Sequence, residues 1–118
     1  MSQLISCLST GKGTWGHVNR IIDDGKFDRI FLITNEFGKE NFSKKDNTEL
    51  IIVDASQGMK ELRDSIERQL KGLNLENEIG VNFVSGSGKE HMALISALLK
   101  LGVAIRLIAL TKDGVEEL

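Results

Sequence analysis

Gly80-Val81-Asn82-Phe83-Val84-Ser85-Gly86-Ser87-Gly88-Lys89-Glu90-His91-Met92-Ala93-Leu94 is the stretch that decides the fold. Residues 80–84 are apolar enough for a buried strand, and residues 85–89 form a glycine-rich loop. Residues 90–101 then read as a helix, which Gly102 ends in the usual C-terminal position. The same order of strand, glycine-rich loop and helix occurs at the amino end. There residues 4–8 are apolar, Ser9-Thr10-Gly11-Lys12-Gly13-Thr14-Trp15-Gly16 follows, and residues 17–24 carry Val18, Ile21 and Ile22 at helical spacing. Between the two units, residues 29–34 and 50–53 read as strands. Residues 35–47 hold a short helix anchored by Phe37 and Phe42. Met59, Leu62, Ile66, Leu70 and Leu73 mark one face of a helix over residues 58–73. Residues 103–110 make a fifth strand, and Glu116 and Glu117 read as a solvated tail.

Strands that alternate with helices and are themselves near-continuous apolar runs belong to a parallel sheet covered on both faces. The expected architecture is α/β, a three-layer Rossmann-like fold with a mainly parallel five-stranded sheet in the order 3-2-1-4-5, residues 1–118 forming one domain. Ligands in such sheets sit beyond the strand carboxyl ends, where the strand order reverses. The first and fourth strands flank that point, and both glycine-rich loops follow them.

Several classes are set aside by composition. The chain has 118 residues and a net charge of −2, which argues against binding duplex nucleic acid through a broad basic face. Cys7 is the only cysteine, so no internal disulfide is expected. Two histidines and one cysteine without ligand spacing suggest no metal, and no cofactor is expected. No apolar run approaches the roughly 20 residues of a membrane helix, and no secretory leader pattern is present, so a cytoplasmic location is expected.

The second loop contains Gly-Ser-Gly-Lys but is not a P-loop. Phe83 stands where that motif has its first glycine, and Glu90 follows Lys89 in place of a hydroxyl. The first loop holds a literal G-x-G-x-x-G in Gly11, Gly13 and Gly16, with Glu36 twenty residues on. That is the dinucleotide fingerprint in form, although Ser9 and Thr10 lengthen the turn. A small regulatory domain of the NAD-binding kind is therefore the alternative reading, and an adaptor with an empty cleft a third.

The stretch from Val81 to Leu94 resembles the signature after the fourth strand of CARF domains, the CRISPR-associated Rossmann-fold sensors. Asn82, Ser85, Gly86, Lys89 and Met92 match it, while Gly88 departs from the usual adjacent glycines. The hydroxyl-rich first loop is similar to the family's other ligand motif. The resemblance implies a two-fold homodimer that binds cyclic oligoadenylate, with the tetra-adenylate ring expected first. Some such domains are metal-independent ring nucleases, in which a ribose 2′-hydroxyl attacks the neighbouring phosphodiester. With no effector expected after residue 118, degrading the messenger would itself be an output.

The residues fit that chemistry. Backbone N–H groups at glycine-rich loops and helix starts attract phosphate. Lys89 and Lys12 add charge, and Ser9, Thr10, Thr14, Ser85 and Ser87 offer hydroxyls. Trp15 can stack on a base, Asn35 and Asn82 can read polar edges, and His17 can move a proton near neutral pH. Lys89, Lys12 and His17 are the candidates for catalysis. Gly11, Gly13, Gly86 and Gly88 shape the loops, and Met92 opens the apolar helix. The plainer readings put Trp15 in packing, Asn82 on a local backbone group, His91 on the first-turn surface and Cys7 in the core. The helix over residues 90–101 is apolar around most of its circumference, more than covering a sheet requires, so a symmetric partner is expected to bury the surplus.

Overall fold

Strand β1 (Gln3–Cys7) is buried along its whole length, which only a central strand covered on both faces can be. The computed structural model, which describes residues 2–8 and 10–118, places it between β2 (Arg29–Thr34) and β4 (Glu78–Asn82), parallel to both. β3 (Thr48–Ile52) pairs with β2, and β5 (Ala104–Thr111) with β4, again in parallel. The sheet order is β3-β2-β1-β4-β5-β6.

Alternation along the strands divides the core. Ile5, Cys7, Phe31, Ile33, Ile79 and Val81 point to one face, where Leu62, Ile66 and Leu70 of α3 (Met59–Lys71) and Ala93, Leu94, Ala97 and Leu98 of α4 (Gly88–Lys100) cover them. Leu4, Ile30 and Leu32 point to the other, under Trp15, Val18, Ile21 and Ile22 of α1 (Trp15–Asp24). The short α2 (Glu36–Asn41) leads into Phe42, which joins the same cluster. The fold is thus the expected three-layer Rossmann-like one. The chain leaves β1 toward β2 and later leaves β4 toward β5, so the β1/β4 junction is the switch point.

Three local results depart from the sequence reading. A sixth strand, β6 (Gly114–Glu117), pairs antiparallel with β5, where a solvated tail was expected. Arg106 on β5 pairs with Glu117 at 3.2 Å and with Glu78, and Thr111 donates to Glu116 at 2.9 Å. A strand with one apolar residue is specified by its hairpin partner, not by its own pattern. Second, β4 ends at Asn82, and Phe83 and Val84 belong to the loop although they prolong the apolar run. Third, α4 starts at Gly88, because Ser87 caps it. The Ser87 side chain accepts from Glu90 N–H, and Glu90 accepts in return from Ser87 N–H, a capping box spelled S-x-x-E.

At its other end α4 closes on Gly102, whose φ is +74°. Val103 N–H donates to Leu98 and Gly102 N–H to Leu99, a Schellman motif. Gly102→Ala is expected to destabilise the fold by about 1–2 kcal/mol, the cost of a side chain in left-handed backbone. Urea denaturation checks this, and an unchanged midpoint would count against the motif. Among the described residues no helix is long and apolar enough to cross a membrane.

Candidate functional site

The two glycine-rich loops meet at the switch point. Thr14, just before α1, donates its hydroxyl to Ser85 Oγ at 2.7 Å. Across the first loop, Asn35 Nδ2 donates to Thr10 Oγ1 at 3.1 Å, while Asn35 Oδ1 accepts from Gly38 N–H and caps α2. Hydroxyls expected at a ligand site on sequence grounds therefore join β1, β2 and β4 at their carboxyl ends. Ser9 lies outside the described residues. Gly11 and Gly13 are exposed and would meet nothing if a Cβ were added, as is also true of Gly16 and Gly88. In the dinucleotide fingerprint the third glycine lets helix and strand pack closely. Gly16 has open space instead, which removes that reason for a glycine here. Glu36 is exposed in the first turn of α2.

The second loop is rigidly built. Gly86 has φ +95°, and a Cβ there would lie 2.8 Å from Cys7 Cβ. Burial pushes the Cys7 thiol pKa up, and the Glu90 carboxylate adds to the effect, so the thiol is an inert core group. His91 is half-buried and not a surface residue. Its Nε2 is 2.8 Å from Ser85 O, and its ring lies 4.9 Å from that of Phe83. Asn82 serves the sheet: Nδ2 donates to Ile108 O at 2.8 Å and Oδ1 accepts from Val84 N–H at 3.2 Å. Both ends of its amide are occupied, which leaves little for a ligand.

Lys89 reaches away from the loop it follows. Its ammonium donates to Ala55 O at 2.9 Å and to Gln57 O, stitching the start of α4 to the segment after β3. Lys12 stays exposed, with Nζ 5.8 Å from the Trp15 ring centroid. Trp15 itself is 7% exposed and packs against Phe37 and Phe42 with centroid separations of 5.8 and 5.5 Å. It offers no open face to a base. His17 Nε2 is covered and has no hydrogen-bond partner among the described residues. Met92 is 62% exposed at the mouth of a groove between α3 and α4.

Sequence reasoning missed the segment after β3. Ser56 donates to Asp54 Oδ1 from its hydroxyl at 2.6 Å and from its backbone N–H at 3.0 Å. The Ser56 hydroxyl, with its N–H and the Lys89 charge in support, holds the Asp54 carboxyl below the usual aspartate range. A carboxyl whose folded pKa is depressed adds stability above its unfolded pKa and loses it as pH falls through the folded value. Exposure keeps that contribution small. Ser56→Ala is expected to raise the Asp54 pKa toward the ordinary aspartate range. A carboxyl-detected NMR titration would show this, and an unmoved value would exclude the hydroxyl as the cause.

A comparison with solved structures finds a similar chain in Enterococcus italicus Csm6 bound to cyclic hexa-2'-fluoro-hexa-dAMP. The TM-score is 0.57 at 18% sequence identity, over 95% of this chain and 34% of that one. The likeness shows a shared Rossmann-like fold. No family model matches the sequence. No curated protein matches it either. This chain spans about a third of the length of the Csm6 chain, 34%. Within that fold, the loops after β1 and β4 follow the two strands that flank the switch point.

Proposed function

We propose that this chain binds cyclic oligoadenylate, tetra-adenylate first, as a homodimer whose paired β1–α1 and β4–α4 loops face one ring. The observation that carries the proposal is the meeting of the two glycine-rich loops at the switch point through the Thr14–Ser85 hydrogen bond. Such loops present N–H groups and helix N-termini to phosphate. The likeness to a Csm6 chain that holds a cyclic hexanucleotide analogue supports cyclic oligoadenylate as the class of ligand.

The dimer is supported by α4. Ala93, Leu94, Ala97 and Leu98 are spent on the core, yet Met92 and Leu99 remain 62% and 67% exposed, one turn-pair apart on the same stripe. A partner copy laid on that stripe buries them. Leu99→Glu should convert the dimer to monomer in sedimentation. A species of unchanged mass would place the contact elsewhere.

Ring cleavage is the second reading. It asks a ribose 2′-hydroxyl to attack the adjacent phosphorus, the 5′-oxygen to leave with the proton, and a 2′,3′-cyclic phosphate to form. Lys12 stands in solvent within the first loop and can stabilise the phosphorane charge. Lys89 is engaged by carbonyl oxygens and His17 Nε2 is covered, so these two favour binding over catalysis.

Calorimetric titration with cyclic tetra-adenylate, cyclic hexa-adenylate and NAD, followed by product analysis, tests the proposal. One ring per two chains supports the dimeric binder, and linear products add the nuclease. NAD binding with no response to either ring overturns it.

A further inference from the structure

Strand β3 is an open edge of the sheet, paired with β2 alone. In a parallel pair alternate residues bond to the neighbouring strand, and the residues between them point their N–H and C=O groups away from it. Just outside the ends of β3, Asn47 C=O accepts from Ile30 N–H and Val53 N–H donates to Thr34 C=O, so Glu49 and Ile51 face β2. Thr48, Leu50 and Ile52 therefore face outward. The chain closes both ends of that row itself. Thr48 N–H donates to Lys45 C=O at 3.0 Å, and Ile52 C=O accepts from Gln69 Nε2 at 3.1 Å. Between these ends, Leu50 N–H, Leu50 C=O and Ile52 N–H have no partner among the described residues.

A cavity of about 430 Å³ lies along this edge, lined by Lys39, Phe42, Lys44, Glu49, Leu50 and Ile52. Phe42 belongs to the core, whereas Leu50 and Ile52 are half-buried. The Glu49 carboxylate is engaged by Arg29 at 3.1 Å, and the neighbouring Lys45 by Asp23. Lys39, in the last turn of α2, and Lys44, in the loop before β3, are exposed and join no ion pair among the described residues. Two free ammonium groups thus flank an apolar shelf beside unmade main-chain hydrogen bonds. Proteins guard an edge strand by placing lysine or proline in it. β3, Thr48-Glu49-Leu50-Ile51-Ile52, contains neither.

We infer that the β3 edge is a docking site for an extended acidic segment of another protein, added to the sheet as a further strand. Main-chain bonds to Leu50 and Ile52 attach such a segment, and its alternate side chains select it. An apolar residue rests on Phe42, Leu50 and Ile52, while carboxylates meet Lys39 and Lys44. A second copy of this chain is the poorer match. Its own open edge, β6, is acidic, but Glu117 already pairs with Arg106 and Glu116 accepts from Thr111. β2 separates the β3 edge from the switch point, so the inference stands apart from the proposed ring binding.

The test is amide-detected NMR on the whole chain, titrated with the end-blocked peptides Glu-Val-Glu-Val-Glu and Lys-Val-Lys-Val-Lys. It compares the wild type with the double variant Lys39→Glu/Lys44→Glu, altered only at exposed positions. The acidic peptide should shift the Leu50 and Ile52 amides of the wild type, and the basic peptide should not. In the double variant the acidic peptide should bind about tenfold more weakly and the basic one should now shift the same amides. Leu50 and Ile52 amides that ignore the acidic peptide overturn the inference. Equal responses to both peptides also overturn it, since an edge without charge selection takes any strand. Shifts at Leu50 and Ile52 that grow with protein concentration in the absence of peptide assign the edge to a second copy instead.

Discussion

Gly86→Ala is expected to destabilise the chain by about 3 kcal/mol, whereas Gly88→Ala, two residues on, is expected to be close to neutral. The difference lies in what each new methyl meets. At φ +95° any L-residue is strained by about 1–2 kcal/mol. The added Cβ would also sit 2.8 Å from Cys7 Cβ, on the central strand, and 3.2 Å from His91 Nε2. The strand cannot give way, so α4 must, and such overpacking costs roughly 1–3 kcal/mol more. Gly88 has no neighbour within reach of a Cβ. Paired thermal melts check this. A fall of about 10 °C in Tm is expected for Gly86→Ala alone. Equal melting of the two variants would show that the β4–α4 loop is not held as described.

Lys89→Ala should act in two places at once. Its ammonium holds the Ala55 and Gln57 carbonyls, so removing it frees the segment after β3. Charged hydrogen bonds of this kind contribute about 1.5–3 kcal/mol each where buried and less at the surface, so a loss of about 2 kcal/mol is expected. Hydrogen exchange at residues 55–58 should quicken while exchange in α1 does not. Because the same segment borders a cavity next to the first loop, affinity for cyclic oligoadenylate should fall by about a hundredfold, the equivalent of about 2.7 kcal/mol. Lys89→Arg should restore the exchange rates only in part, since a planar guanidinium replaces a compact ammonium. If Lys89→Ala leaves exchange untouched but abolishes binding, the side chain acts on ligand directly. The reverse result would make it a purely structural tie.

The central strands β1, β2 and β4 were legible because burial on both faces leaves no polar alternation to confuse the pattern, as in Arg29–Thr34. Where the pattern overran, it did so for one reason. Phe83 and Val84 are apolar like the strand before them, but the chain has already turned, with Asn82 accepting from Val84 N–H. The two glycine-rich loops could be seen in the sequence, but not the bond between Thr14 and Ser85, which are 71 residues apart. Lys89 carried a visible charge, but its partners are main-chain oxygens of a distant segment, and those leave no mark on residue type. Asp54 and Ser56 were passed over for a similar reason. A carboxylate and a hydroxyl two apart in a turn look like any loop until the cavity beside them is known.

The helices that begin at the two loops lie in different layers, α1 over one face of the sheet and α4 over the other. A group gripped by both loops therefore touches elements of both layers where they meet, beside the Thr14–Ser85 hydrogen bond. Pull on it loads the two layers against each other across β1, as a clamp loads its jaws, and a close-packed interior passes that load on with little loss. One jaw is the helix that presents Met92 and Leu99 to solvent. Under the proposed binding mode, a ligand at the rim and a partner on that outer stripe bear on the same helix.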